Sequence, residues 1–389
     1  MGRRTIEESL GRVGVSKKMK RKAVIWLCVL LAMAGCAPSF DNDEEIIEEN
    51  QDDTSQETAI IPSYNVTEEE YKVILPYKVS KARGVIVGQI ANRLDIGELE
   101  EGLRRHSKQS FDPDKFYFQE GQKIDEDTVL TWIDELNPED EEDWDEKVYR
   151  NNPRYLSHIL EQDYLQKTGE NTVELGGMSI GIALKSNYRF QTEPGGPYYY
   201  EDISEKEMLR EGKKIAQQIL ERVRGMEDMP DVPIMIALYR EEGRNALVPG
   251  EFVAKTSVSA NSSSIGDWES IDEENVLFPS DDAKENYSEE SDRMKTFEQD
   301  VAEYFPNYTG VIGKGFYIDD ELKKLRIEIP IEFQGKAEVV GFTQYVYGLA
   351  METFENYYDL EINIKSNQRQ ESLITRDAGE DEPEVHIYQ

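Results

Sequence analysis

The sequence predicts an α+β fold of two related lobes, each an antiparallel or mixed sheet with helices packed on one face. Three observations lead there. An order of helix, Gly-rich strand, second strand, long helix and closing strand occurs twice along the chain. Segments with apolar residues three and four apart alternate with short segments that are apolar at every second residue, the mixture that a sheet covered by helices requires. No cysteine follows Cys36, so no disulfide holds the fold, and a chain of 389 residues is long enough to be held by its core alone.

Residues 1–35 stand apart from that fold. A basic cluster of Lys17, Lys18, Lys20, Arg21 and Lys22 precedes an uncharged apolar run from Ala23 to Ala34. The run is shorter than the ~20 residues a membrane-spanning helix needs, and with small residues at its end it reads as a secretory signal. Glu7 and Glu8 fit such a signal poorly, whereas Met19-Lys20-Arg21-Lys22 is an ordinary start, so Met19 is the expected initiator. Met33-Ala34-Gly35-Cys36 resembles the lipobox of bacterial lipoproteins, with Met where Leu is commoner. That resemblance implies cleavage before Cys36 and a diacylglyceryl group on its thiol, which would hold the protein on the extracellular face of the cell membrane. Two acyl chains are what stable anchoring takes.

The whole chain carries −36, and its first 35 residues hold eight Lys and Arg against two Glu, which leaves −42 on the remainder. Such a charge argues against nucleic acid as a partner and against electrostatic adsorption on anionic lipid, so the acyl chains must do the anchoring. Residues 36–65 are acidic and poor in apolar groups, as in Asp41-Asn-Asp-Glu-Glu45, and are expected to form a disordered, extended tether.

The first lobe is expected over 66–241. Tyr71 to Tyr77 reads as a strand, and Val85 to Ile90 is a mostly apolar run. Leu99 and Leu103, four apart, mark a helix over 98–107, and Asp125 to Leu136 has the pattern of another. Phe111 to Gly121 is aromatic and turn-rich, and the acidic run Glu139 to Glu146 is expected as a loop or a solvated helix end.

Four blocks in this half carry a family likeness: Tyr71-Lys-Val-Ile-Leu-Pro-Tyr-Lys-Val-Ser-Lys-Ala-Arg-Gly84, Glu100-Glu-Gly-Leu103, Pro113-Asp-Lys-Phe-Tyr-Phe-Gln-Glu-Gly-Gln122 and Asn151-Asn-Pro-Arg-Tyr-Leu-Ser-His-Ile-Leu-Glu-Gln-Asp-Tyr-Leu165. With them the chain resembles the CamS-type sex-pheromone lipoprotein precursors of Gram-positive bacteria, from the lipobox to about residue 367. The resemblance implies that a short apolar peptide cut from the signal acts as a mating pheromone. Here that peptide is Val29, Leu30, Leu31, Ala32, Met33, Ala34 and Gly35. It implies no settled activity for the folded part.

The second lobe is expected over 242–367 as a restatement of the first. Tyr155 to Leu165 reads as a helix matching Asp292 to Ala302, and both contain Glu-Gln-Asp, at 161–163 and 298–300. Gly176 to Leu184 matches Gly310 to Ile318 as the Gly-rich strand, and Leu325 to Phe333 alternates as a second strand. Each copy then has a long helix. In the first, Ser204 and Glu207 form a capping box, Met208, Gly212, Ile215, Ile219, Leu220 and Val223 form the stripe, and Gly225 ends it. Phe342, Val346, Leu349, Ala350 and Phe354 form the stripe in the second. Val232 to Leu238 and Leu360 to Lys365 close the copies. Gly250 to Ser280 between them looks like loop or hairpin, and 368–389 like a loose polar tail.

Chemical motifs are few. Gly177-Met-Ser-Ile-Gly181 has the form of a nucleophile elbow, but alternation of Met178, Ile180, Ile182 and Leu184 carries a strand straight through Ser179, where an elbow needs a sharp turn. His106, His158 and His386 lie far apart without ligand-like spacing, and Asp281-Asp-Ala-Lys-Glu-Asn286 lacks the glycine and terminal Glu of an EF-hand loop. No catalytic residue, metal or cofactor is therefore assigned. Glu193-Pro-Gly-Gly-Pro-Tyr-Tyr-Tyr-Glu-Asp202 is the most suggestive stretch: three adjacent tyrosines cannot all point inward from a strand, and Tyr198, Tyr199 and Tyr200 with Glu201 could stack on and hydrogen-bond to a cell-wall glycan or a peptide. The same residues could instead cover the edge of a lobe. A lipid-anchored, non-catalytic binding module is thus expected, with a cell-wall glycan hydrolase as the alternative; two close carboxylates in a cleft would favour the hydrolase.

Overall fold

A computed structural model describes residues 60–61, 70–83, 92–139, 144–169, 172–304, 310–332, 335–367 and 369–388. The first lobe contains α1 (Ile96–Ser107), β1 (Tyr117–Glu120), α2 (Glu126–Glu135), α3 (Glu146–Asn151), β2 (Leu156–Lys167) and β3 (Val173–Leu184). It continues with the hairpin β4 (Asn187–Phe190) and β5 (Tyr199–Asp202), then α4 (Glu205–Arg224), β6 (Ile234–Arg240), β7 (Glu251–Val258) and β8 (Glu269–Ser270). The second lobe contains β9 (Glu273–Phe278), α5 (Asp281–Asn286), α6 (Ser288–Tyr304), β10 (Ile312–Ile318), β11 (Glu321–Pro330), α7 (Lys336–Thr353), β12 (Asp359–Lys365), β13 (Gln370–Arg376) and β14 (Glu384–Ile387).

Each lobe is built on a six-stranded sheet, ordered β1-β2-β3-β6-β7-β8 in the first and β14-β13-β12-β11-β10-β9 in the second. Strand neighbours run antiparallel except β3 with β6 and β11 with β12, the two pairs joined through the long helices α4 and α7. The two sheets have the same connectivity: a first strand, two helices, two antiparallel strands, a long helix, then three more strands. The β4–β5 hairpin is an addition to the first.

The repeat is real at the level of topology, but its alignment differs from the expected one. Tyr155–Leu165 is not a helix: β2 occupies it, and the partner of β2 is β10. Glu161–Asp163 therefore lies on a strand while Glu298–Asp300 lies on α6, and their common sequence is accidental. Burial on both faces hid this strand, because nearly every residue of β2 is buried and no period-2 contrast survives. Two boundaries also move. The first sheet runs past residue 241 through β7 and β8 to Ser270, and within 250–280 these two strands form an antiparallel hairpin, one of the two forms expected there. The 368–389 segment, expected to be loose, adds β13 and β14 to the second sheet, anchored by the fully buried Ile374. Tyr71–Tyr77 forms only isolated bridges, Val73 to Phe118 and Leu75 to Ile60, and 85–90 lies outside the described residues.

Local signals place α1, α2 and α4 where helices were expected. Asp95, Asp125 and Ser204 cap α1, α2 and α4 by accepting from the backbone N–H three residues on. The α4 stripe packs on Met178, Ile180, Ile234 and Ile236 of the first sheet. The opposite face of that sheet is covered too, by Leu99 and Leu103 of α1 against Ala183, Ala237 and Tyr239. Among the described residues, helices pack on one face of the second sheet, where Phe342 and Val346 of α7 and Phe297 of α6 meet Ile327, Ile329 and Ile362. The other face is open among those residues, apart from Arg105 of α1 over the Phe316 ring.

Candidate functional site

A cavity of ≈ 500 Å³ lies beneath α1 against β2. Alternation along β2 turns His158, Leu160 and Gln162 toward α1, and Ile96, Glu100 and Arg104 of α1 form the facing wall. Gln162 Nε2 donates to the Glu100 carbonyl at 2.8 Å and fixes the helix over the strand. The rim is Tyr77, Ser80 and Arg83 gathered on Glu120, whose carboxylate accepts from the Tyr77 hydroxyl, the Ser80 N–H at 2.5 Å and Arg83 Nη2 at 2.8 Å. Burial pushes His158 down to about 4, so the imidazole is neutral at pH 7, and it pushes Glu100 above the usual carboxylate range.

At the wall of this cavity Glu161 forms a buried carboxylate pair with Asp163, two residues on along β2 and so on the same face. Glu161 accepts from the backbone N–H groups of Gln122 at 3.1 Å, Lys123 at 2.9 Å and Ile124 at 2.6 Å, and Asp163 accepts from Gln122 at 3.0 Å. Gly121 permits this approach, since a Cβ there would lie 2.5 Å from Glu161 Cβ. Burial raises both carboxyls, and the neighbouring Glu161 charge raises Asp163 further, well above its ordinary value, so the pair favours sharing a single proton. In the sequence this pair served only as a mark of the repeat. The Gln122–Ile124 backbone that it binds comes almost forty residues earlier, and no local pattern connects the two.

The tyrosine stretch is brought together as a hairpin edge. Tyr199 stacks on Phe190 at 5.5 Å, and Phe190 stacks in turn on Tyr149 at 5.0 Å and Tyr188 at 5.4 Å. Tyr198 and Tyr200 point outward, 53% and 51% exposed, with Arg189 over the Tyr198 ring at 4.5 Å. Glu201 accepts from Arg150 Nη1 at 2.5 Å. Two of the three tyrosines are thus available to a ligand, while Tyr199 belongs to the core edge and Glu201 is held by Arg150.

Ser179 is fully buried in the middle of β3 and lies 3.3 Å from the Tyr164 hydroxyl, as an ordinary strand residue. His106 lies 3.0 Å from Glu273, and His386 packs on Tyr388. Among the described residues no group of three or more His, Cys, Asp or Glu is placed to hold a metal. Asp281 to Asn286 forms α5 behind the Ser280 cap. Among the described residues no helix is long and apolar enough to cross a membrane. Met19, Val29–Gly35 and Cys36 lie outside the described residues.

Comparison with known proteins places this architecture. The family model for the CamS sex pheromone cAM373 precursor matches residues 77–382. A sex pheromone precursor from Lactobacillus salivarius subsp. salivarius UCC118 is similar in structure with a TM-score of 0.77 and 30% identity, over 86% of this chain and 99% of that one. The C-terminal domain of the sex pheromone staph-cAM373 precursor from Staphylococcus aureus gives 0.67 and 29% identity, over 78% of this chain and 100% of that domain. None of the curated proteins compared matches the chain.

Proposed function

The chain belongs to the family of CamS sex pheromone cAM373 precursors, and from that premise we propose a lipid-anchored extracellular lipoprotein with two separable parts. Its signal segment is the source of a short apolar mating peptide, Val29–Gly35. Its folded part is a non-catalytic binding module, held outside the cell by the diacylglyceryl group on Cys36, for a cell-wall glycan or peptide. The observation that carries this reading is the place of the peptide, which ends directly before the lipobox cysteine. Cleavage directly before the acylated Cys36 also separates the peptide from the folded part. A small apolar peptide can partition through a membrane, a route closed to a remainder carrying −42.

The non-catalytic reading is supported by what occupies the acidic groups other than Glu100 at the cavity. Glu120 is taken by three donors, Glu161 by three backbone N–H groups, and Asp163 is sealed at 2% exposure. Glycan hydrolysis needs two carboxyl groups open to one glycosidic bond. The exposed rings of Tyr198 and Tyr200 support a binding role at the hairpin edge.

The test is made in a Gram-positive host expressing the full chain. Cys36→Ser should abolish acyl labelling and leave unprocessed precursor. Leu30→Val with Leu31→Val should change the mating response to culture fluid, while export, acylation and folding persist. Unchanged labelling of the Cys36→Ser chain would refute the anchor. An unchanged mating response would refute the peptide assignment.

A further inference from the structure

Positive charge is scarce in this protein, with 44 Lys and Arg against 80 Asp and Glu, yet one cleft inverts the balance. It lies between α1 and the open face of the second sheet and has a volume of ≈ 660 Å³, within the usual size of ligand sites. Its lining carries seven Lys and Arg against four Asp and Glu. From α1 and the residue that caps its end come Arg104, Arg105 and Lys108, and from β10 and β11 come Lys314, Lys324 and Arg326. Alternation along β10 buries Gly313, Gly315 and Tyr317 toward the helices and leaves Lys314 and Phe316 on the open face.

The cations outnumber the carboxylates that answer them. Arg104 and Lys108 share Glu70, at 3.4 and 2.9 Å. Lys324 and Arg326 share Glu361, at 3.7 and 3.5 Å. Lys314 makes no ion pair among the described residues. Arg105 is committed to the buried Glu273 at 3.1 Å and lies over the Phe316 ring at 4.5 Å, so it joins the lobes and braces the aromatic floor. The lining is mixed in sign but carries more cations than carboxylates, so the cleft offers anions a local site although the protein as a whole repels them.

We propose that the cleft binds a strand of a phosphodiester-linked polymer, of the polyol-phosphate kind, lying outside the cell. Lys and Arg supply charge-assisted hydrogen bonds to the phosphates, and the half-buried Phe316 ring offers a surface to the carbon skeleton between them. The wider charge distribution selects a thin polymer over an anionic bilayer. A flat membrane would meet more of a protein whose net charge is −36, whereas a single strand meets mainly the cleft, with the remaining charge screened over about 8–10 Å. This inference rests on reading the folded part as a binding module, but on a different surface from the tyrosine hairpin.

The test uses the full chain in neutral detergent micelles at 150 mM salt, with fluorescent oligo(glycerol phosphate) as probe. Lys314→Glu with Arg326→Glu should weaken binding at least about tenfold, and Lys314→Gln with Arg326→Gln should weaken it less, with unchanged melting temperature in the latter. Arg210→Glu with Lys214→Glu on α4 makes the same charge change at exposed positions and should stay within about twofold. No binding by the unaltered chain, equal losses in the cleft and α4 variants, or equal binding of neutral dextran would overturn the proposal. So would binding to phosphatidylglycerol nanodiscs with the same dependence on Lys314 and Arg326. Tyr198→Ala with Tyr200→Ala, assayed on cell-wall glycan fragments in the same micelles, separates failure of this proposal from failure of the binding-module reading.

Discussion

If the Glu161–Asp163 pair organises the first lobe rather than performing chemistry, removing Glu161 should cost stability in proportion to the donors it leaves without acceptors. Glu161→Ala strands the backbone N–H groups of Lys123 and Ile124, while Gln122 keeps Asp163 at 3.0 Å. A buried donor without a partner costs about 1–3 kcal/mol, so the loss should be about 2–6 kcal/mol. Asp163→Asn is the informative partner, because it retains an acceptor for Gln122 and a donor for Glu161 while removing the titration. Asp163 has a raised pKa in the folded protein, so the folded state binds its proton more tightly than the unfolded chain does. Its contribution is therefore unpenalised below the ordinary value of 3.8, and stability falls as pH rises from there toward the raised folded value. Across that window the advantage of Asp163→Asn over the native chain should grow as pH rises. Urea unfolding followed by tryptophan fluorescence reports on this lobe, since Trp132, Trp144 and Trp268 all lie within it. A loss below about 1 kcal/mol for Glu161→Ala, or a pH-independent difference for Asp163→Asn, would refute the reasoning.

Glu251, beside Arg240 at 3.6 Å, is pushed up to about 7 chiefly by burial. Stability should decline between about 4.5 and 7 through this group, and Glu251→Gln should flatten that decline in a pH series of urea midpoints. Glu371 is the opposite case, held at about 2 by Lys336 at 2.8 Å with help from Arg369 and Ser366. Its contribution is present above about 4.5 and lost as pH falls toward 2, so Glu371→Gln should cost roughly 1 kcal/mol at neutral pH and nothing at pH 2, read by circular dichroism. Gly177→Ala would place a Cβ 2.1 Å from the buried Phe111 ring, which stacks on Tyr164 at 4.6 Å. Overpacking should cost about 1–3 kcal/mol, and a melting temperature equal to that of the native chain would show that Phe111 can move aside.

Much of this protein is determined within short stretches of its sequence. The caps at Asp125 and Ser204 and the α4 stripe mark helices whose hydrogen bonds close within a few residues, so their ends are legible without knowledge of the fold. Alternation through Ser179 likewise identifies a strand and dismisses an elbow, because side-chain direction in a strand is a local property. Tertiary structure decided the rest. It made β2 a strand, since a segment buried on both faces carries no periodicity to distinguish it. It recruited β13 and β14 from a polar tail, β13 pairing with β12 through the buried Ile374 and β14 forming the edge beyond it, a placement set by the neighbouring strands rather than by local pattern. It made the carboxylate pair and the basic cleft, whose parts are far apart in the chain: Arg105 and Glu273, 168 residues apart, meet at 3.1 Å. Strand pairing and site assembly depend on which distant segments come together, and that choice rests on the packing of the whole core.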